Sequence, residues 1–466
     1  MRKTGERRER GALAAAVLVF AVLCQCGVAG GADAPLPLAK EFWRDASFLR
    51  SFNGSYRIEA RIEPVVTGAE RGVLVQVQKL MAKGERKEAA RVLGKSKLTP
   101  DSAALRFNLG NIFFELGESE RAAGEYRAAI KIYPSFRRAH RNLAVALVRL
   151  GKPDKALGHL MEALRLGDSD SLTWGLLGWC RVRREEWAGA LQAYRMARAL
   201  DPQSAEWMAG AARCLAELDR RAEALGLLDE VVRARPADAS YGLLRVRVLL
   251  SMGRATKAAA GLDFLRRIGS LDADSLLLLA SLHLRAGRTE LSGGCIDAAF
   301  AAPEKPSAGR VLAALREAVE RQSWGIARKL EQAALGMPEG MTPDETNTLT
   351  SLRARIAIGS GIDPEAGEAA LRKLLAADPL AADALLALGR RCAATQRPDE
   401  AELLFTRAAL DESLAREAWV EIARVRVARH RYPEAVSALD EALRRGKSEE
   451  LKAYRAALAR LAEAAK

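Results

Sequence analysis

The sequence predicts an all-α chain, an α-solenoid of stacked helix pairs, on three observations. It repeats itself with a period of 34, its apolar residues recur every three or four positions between regularly spaced turns, and it is too long for one core. The 466 residues are 49% hydrophobic and 28% charged, a globular balance rather than a disordered or fibrous one. Single cores stop growing near about 250 to 300 residues, so the chain is either several domains or an array whose core extends along one dimension.

The N-terminus has its own pattern. Arg2, Lys3, Arg7, Arg8 and Arg10 precede an uncharged apolar run from Ala12 to Leu23, and small residues follow. That order marks residues 1–31 as a secretory signal peptide. The apolar run is shorter than the roughly 20 residues of a membrane-spanning helix, which leaves a retained anchor as the alternative. Cys24 and Cys26 stand where a lipoprotein acceptor would, but Leu23 and Gln25 precede them instead of small residues. Removal of residues 1–31, with five basic and two acidic side chains, takes the net charge from +14 to +11. Residues 32–68 form an extension in which Phe42, Trp43, Phe48, Phe52 and Tyr56 crowd five of the protein's 25 aromatics into fifteen positions. Such a cluster is expected to be buried, over the first repeat or, alternatively, on a partner or second copy.

A first block of repeats covers 69–305. Ala122, Ala156, Ala190, Ala224 and Ala258 lie 34 residues apart and Ser292 continues them; Ala129, Ala163, Ala197, Val231, Leu265 and Ala299 keep the same spacing. Gly117, Gly151, Gly253 and Gly287 mark one joint, and Pro134, Pro202 and Pro236 the other. Each unit reads as two amphipathic helices that must stack on neighbours to bury their apolar stripes. From Ala122 to Ala401 the chain accumulates seven residues beyond a whole number of periods. The Pro- and Gly-rich stretch 306–380 is therefore read as two degenerate units and a candidate hinge. A second block follows at 381–448, and 449–466 reads as a helix covering the last repeat.

The pattern resembles the tetratricopeptide repeat family. Trp174, Leu177, Gly178, Ala190, Tyr194 and Pro202 match its signature in one unit; Leu109, Gly110, Phe113, Ala122, Tyr126, Ala129 and Pro134 in another. Leu388, Gly389, Ala401, Phe405 and Ala408 match it again, followed by Trp419, Ala423, Ala435, Leu439 and Ala442. The resemblance implies a right-handed superhelix with the first helix of each unit lining a concave groove where partners lie. The column facing that groove reads Asn111, Val145, Trp179, Arg213, Arg247, Ser281, then Arg390 and Arg424; one turn on stand Glu115, Arg149, Arg183, Glu217, Ser251 and Arg285. Asn142 joins Asn111 as the two asparagines of the carboxylate clamp of some family members, but Phe107, Leu172 and Leu176 occupy the places where that clamp has cations.

Catalytic chemistry finds no constellation. His140, His159, His283 and His430 are scattered, with no HExxH spacing, and no GxSxG stretch occurs. Gly94-Lys95-Ser96 lacks the first glycine of a phosphate loop. Asp168, Ser169 and Asp170 start like a calcium loop but have Thr173 where a glycine is needed, so an interrepeat turn is expected. Asn53-Gly54-Ser55 reads as a turn before a glycosylation site. Cys180 and Cys214 share a column of adjacent units, too far apart for a disulfide, and are expected to be packed thiols.

The sequence thus points to a non-catalytic, exported repeat scaffold in the periplasm or cell envelope of a bacterium, without cofactor or metal. It is expected to bind a protein or peptide, an extended or acidic segment in particular, through its arginine-rich groove; a planar guanidinium fork suits carboxylates. Nucleic acid is not expected outside the cytoplasm. An accessory role with an anionic envelope polysaccharide is the alternative, and pairing of the arginines with Glu115, Glu206, Glu217, Glu417 or Asp383 would leave little net potential.

Overall fold

The computed structural model describes residues 63–337, 341–446 and 448–464. The expected signal, both N-terminal cysteines, the Asn53-Gly54 turn and the aromatic cluster at 42–56 lie outside the described residues. Among those described, 23 α-helices follow one another with no strand. No described helix is long and apolar enough to cross a membrane.

Helix pairs run through the chain in register with the sequence period. They are α1 (Gly68–Ala82) with α2 (Arg86–Lys95), α3 (Ala103–Glu115) with α4 (Ser119–Ile132), α5 (Arg137–Arg149) with α6 (Pro153–Arg165), α7 (Ser171–Arg183) with α8 (Trp187–Leu200), and α9 (Ala205–Glu217) with α10 (Arg221–Ala234). Then come α11 (Ala239–Ser251) and α12 (Ala255–Arg267), α13 (Ala273–Arg285) and α14 (Thr289–Ala301), α15 (Ala308–Glu320) and α16 (Trp324–Leu335). The series ends with α17 (Pro343–Ser360) and α18 (Pro364–Ala377), α19 (Ala382–Ala394) and α20 (Pro398–Ala408), α21 (Ala415–Ala428) and α22 (Tyr432–Arg445), and a lone α23 (Glu449–Ala464) packed on α22. The chain divides into two compact units, one ending at Val248 and one beginning at Leu249. In the first, α3, α5, α7 and α9 touch in succession; in the second, α13, α15, α17, α19 and α21 do. Each unit therefore has a continuous layer of first helices.

The small columns are where helices cross. Ala122, Ala156, Ala190, Ala224, Ala258, Ser292, Ala327, Ala401 and Ala435 are all fully enclosed. Gly110 of α3 faces the Tyr126 ring of α4 so closely that a Cβ would stand 2.6 Å from it, and Gly389 meets Phe405 at 2.5 Å in the same way. A methyl group at either glycine would force the two backbones apart. The turn inside each pair needs one residue in the left-handed region, where an L side chain is strained. Gly117 at φ 82° supplies it after α3, closed by Glu118 N–H donating to Phe113 C=O at 2.8 Å. Glu185, Asp219, Gln322, Gln396 and His430 take the same place elsewhere at φ 53° to 62°. Those joints carry no glycine to announce them in the sequence.

The surplus of seven residues is also located. The small column moves 35 residues from Ser292 to Ala327 and 40 from Ala327 to Gly367, whose absent Cβ would meet the Ala354 carbonyl at 2.7 Å. Most of the second excess lies in α17, 18 residues long where α15 and α19 have 13. Stretch 306–380 thus holds two helix pairs, one with a lengthened first helix.

Candidate partner-binding face

The first-helix layer is the candidate site, and its residues fall into three groups. Asn111 and Asn142 are buried and belong to the core's polar stitching. Tyr126 Oη donates to Asn111 Oδ1 at 2.8 Å and Asn142 Nδ2 donates to the same oxygen at 3.0 Å, tying α3, α4 and α5 together. Neither amide stands at a surface where it could take a carboxylate, and Trp179 too is buried. Burial drives the Tyr126 hydroxyl far above its ordinary pKa, so it keeps its proton and can donate to Asn111. Arg149 lays its guanidinium 4.6 Å from the centroid of the Phe114 ring, and Arg183 is half-buried at the end of α7.

Arg213 and Arg247 form the second group. They occupy the same face position on α9 and α11, both exposed, and among the described residues neither is paired with a carboxylate. Loss of hydration beside the protein wall, reinforced by the Arg213 charge, holds Arg247 below the usual arginine range, against the opposing pull of Glu217. The guanidinium of Arg213 lies 6.0 Å from the Trp187 ring centroid. Of the two, Arg213 alone stands beside an aromatic ring, and neighbouring like charges of this kind favour an anion between them.

The third group lies beyond Leu249, and there every expected arginine has an acid. Arg285 meets Glu317 at 2.7 Å, and Glu317, itself 5% exposed, also takes Arg321 at 3.0 Å. Arg390 pairs with Glu417 and, at 2.9 Å, with Glu421, which also holds Arg424 at 3.2 Å. Arg316 pairs with Asp383 at 3.3 Å across helices α15 and α19. Arg355 on α17 is pushed below its ordinary range by burial, and burial beside Glu317 raises the Glu320 carboxyl. Sequence reading named Glu417 and Asp383 as partners but passed over Glu317 and Glu421. The missed signal is a spacing: an acid 32 residues after Arg285 and 31 after Arg390 lands beside it on the next first helix.

Other expected features resolve into local structure. Asp170 caps α7 by accepting from Leu172 N–H at 2.9 Å, and Thr173 Oγ1 donates to Asp168 at 2.8 Å, closing the interrepeat turn. All four cysteines of the described chain are free and buried, with burial lifting Cys180 and Cys214 to about 12. His140 and His159 approach at 3.1 Å through their Nδ1 atoms, and His140 is fixed by the Pro134 carbonyl at 2.9 Å.

The chain matches known proteins through its repeats. A tetratricopeptide repeat family model matches residues 74–135, 107–171, 141–205 and 353–419, and a second matches 182–248, together more than half of the chain. Similar solved structures include YrrB, described as a TPR protein with an unusual peptide-binding site. It is 24% identical over 36% of this chain and 87% of its own, with a TM-score of 0.34. PilF of Pseudomonas aeruginosa is 20% identical over 41% of this chain and 88% of its own, at 0.36. A tetratricopeptide repeat protein of Parabacteroides merdae is 17% identical over 50% and 93%, at 0.38. No curated protein matches the chain.

Proposed function

Because the chain belongs to the tetratricopeptide repeat family, whose helix pairs serve as protein-binding scaffolds, we propose that it is a non-catalytic scaffold holding an extended, acidic protein segment against its first-helix layer, with Arg213 and Arg247 as the anion-reading pair. The observation that carries this reading is the contrast in compensation: these two arginines are exposed with no acid paired to them among the described residues, while Arg285, Arg390 and Arg424 are already occupied. Hydrogen bonds to a charged group contribute about 1.5 to 3 kcal/mol each, enough for two guanidinium forks to set a preference for carboxylates. We place the scaffold in a bacterial periplasm or envelope on the pattern of residues 1–31.

The test is affinity capture by the tagged chain from a detergent-solubilised envelope fraction, run beside Arg213→Glu/Arg247→Glu and, separately, Arg424→Glu. A protein partner retained by the parent and by Arg424→Glu, and lost from the double variant, supports the reading. Equal recovery by all three would remove the arginine pair from the site. Binding of purified uronate-rich glycan, in place of protein and falling steeply with salt, would favour the polysaccharide role instead.

A further inference from the structure

One helix pair departs from its neighbours at the start of its second helix. The opening position of that helix reads Ser119, Pro153, Trp187, Arg221 and Ala255 along the repeats, and the position two residues on reads Arg121, Lys155, Gly189, Glu223 and Lys257. Helix α8 therefore begins with the one aromatic ring of the first series and carries no side chain where the other four carry a long charged one. Beside these two residues, at the α7–α8 turn, lies a cavity of about 520 Å³ open to solvent. It is lined by Trp187, Ala188 and Gly189 of α8, by Arg181 of α7 and by Leu218, which ends α9. Arg181 is held along the first turn of α8: its Nη1 donates to the Gly189 carbonyl at 2.9 Å, and a Cβ on Gly189 would stand 3.3 Å from its Cδ. Two glutamates of the turn stand at the rim. Glu186 pairs with Arg184 at 2.9 Å, and Glu185 is exposed with no cation paired to it among the described residues.

This cavity is continuous with the arginine pair, because the Trp187 ring that lines it lies 6.0 Å from the Arg213 guanidinium. From Arg213 to Leu218 the chain advances five residues, about 7.5 Å along the helix axis. Two residues of extended chain span about 6.6 Å and bring their side chains back to the same side. A segment with one carboxylate on Arg213 thus presents the side chain two positions away to the cavity mouth. The charge of Glu185 repels a second acid there, while the half-buried Trp187 and Leu218 offer apolar surface, and an indole pairs best with another ring, edge to face or offset.

We propose that the cavity beside Trp187 receives an aromatic side chain of the acidic segment, set two residues from the acid that Arg213 holds. This deepens the binding reading above and rests on it: the arginine pair reads charge, and the cavity reads one ring at a fixed distance from that charge. A purely acidic stretch satisfies the first requirement and not the second.

The experiment uses three synthetic Gly/Ser peptides with the same two glutamates: one with no aromatic residue, one with Phe two residues from a glutamate, and one with Phe five residues away. Affinities for the full chain are read by fluorescence anisotropy. The peptide with Phe at two is expected to bind about tenfold more tightly than the peptide without Phe, and the peptide with Phe at five no more than about twofold more tightly. Gly189→Gln, which fills the cavity without adding charge, and Trp187→Ser, which installs the residue of the α4 position, are each expected to bring the tenfold ratio close to one. Two different substitutions keep the test valid if one of them impairs folding, and each ratio is taken within a single variant. A ratio near one in the parent, a tenfold ratio that survives both substitutions, or an equal gain at both spacings overturns the proposal. Failure of the underlying reading shows separately, as a Phe-free peptide that either does not bind the parent or binds Arg213→Glu/Arg247→Glu equally well.

Discussion

Arg213 and Arg247 occupy the same repeat position as Arg390 and Arg424, and the two pairs differ in what their neighbours carry. On α9 and α11 the arginines have no described carboxylate in pairing distance. On α19 and α21 Glu417 and Glu421 take both of theirs. A column of arginines is therefore not a stripe of potential. Its charge is set by whether an acid stands alongside, just under one period further on for Arg390 and three residues earlier on the same helix for Arg424. The first unit leaves Arg213 and Arg247 without a described acid while it pairs other arginines, such as Arg141 with Asp170, and the second pairs Arg390 and Arg424 with its own glutamates.

The contrast can be broken most strongly from the first unit. Arg213→Glu/Arg247→Glu is expected to weaken binding of a polyglutamate peptide by about 100-fold or more at low salt, since two charged contacts become repulsions. Isothermal titration would read it, and a change of less than threefold would refute the assignment. The same binding should fall steeply between low and physiological salt, while the unfolding midpoint of the chain moves little over that range.

The converse variant manufactures a free pair in the second unit. Glu417→Gln/Glu421→Gln releases Arg390 and Arg424 from both of their carboxylates, one of which, Glu421, is 8% exposed, so a loss of about 1 to 3 kcal/mol is expected in urea unfolding, together with new affinity for the anionic peptide. Destabilisation without added binding would mean that these arginines do not face a groove.

Acid should act on the second unit through Glu368. Hydrogen bonding from Arg397, with help from Arg372, lowers its pKa to about 2. A depressed carboxylate stabilises the fold above its unfolded pKa, and that contribution is lost as pH falls from about 4.5 through about 2, at most about 3 kcal/mol in all. Hydrogen exchange of α18 to α20 across that window would read it, and Arg397→Met should flatten the dependence. The smallest effect is expected at the joints: Gln322→Gly or Glu185→Gly relieves a left-handed residue and should stabilise by about 0.5 to 1 kcal/mol in thermal unfolding.

Much of this architecture is legible in the chain. The alanine column from Ala122 to Ala258 and the glycines at 117, 151, 253 and 287 give the pair boundaries directly, because close helix crossings and left-handed turns each admit few residue types. Joints at Glu185 and Asp219 are silent, since their strain is carried by the surrounding pairs. Gly367 was hidden for another reason: the longer α17 shifts the small column by six residues, and a fixed period does not look for it there. In the candidate site, Arg213 and Arg247 were legible as a column, but the sorting of that column was not. Asn111 and Asn142 have the residue type of a clamp and the burial of a core.

By itself the sequence determined the class of fold, the 34-residue phase of its regular stretches, and the concentration of arginine on one helix face, because backbone periodicity and small-residue spacing are local properties that survive without knowledge of neighbours. The tertiary structure alone decided which of those arginines are neutralised, which amides are enclosed, and that Glu63 lies against the third helix pair before the first has begun. Those outcomes depend on side chains brought together from as far as 75 residues apart, and an ion pair's charge and hydration follow from its distance and enclosure, not from its place in the chain.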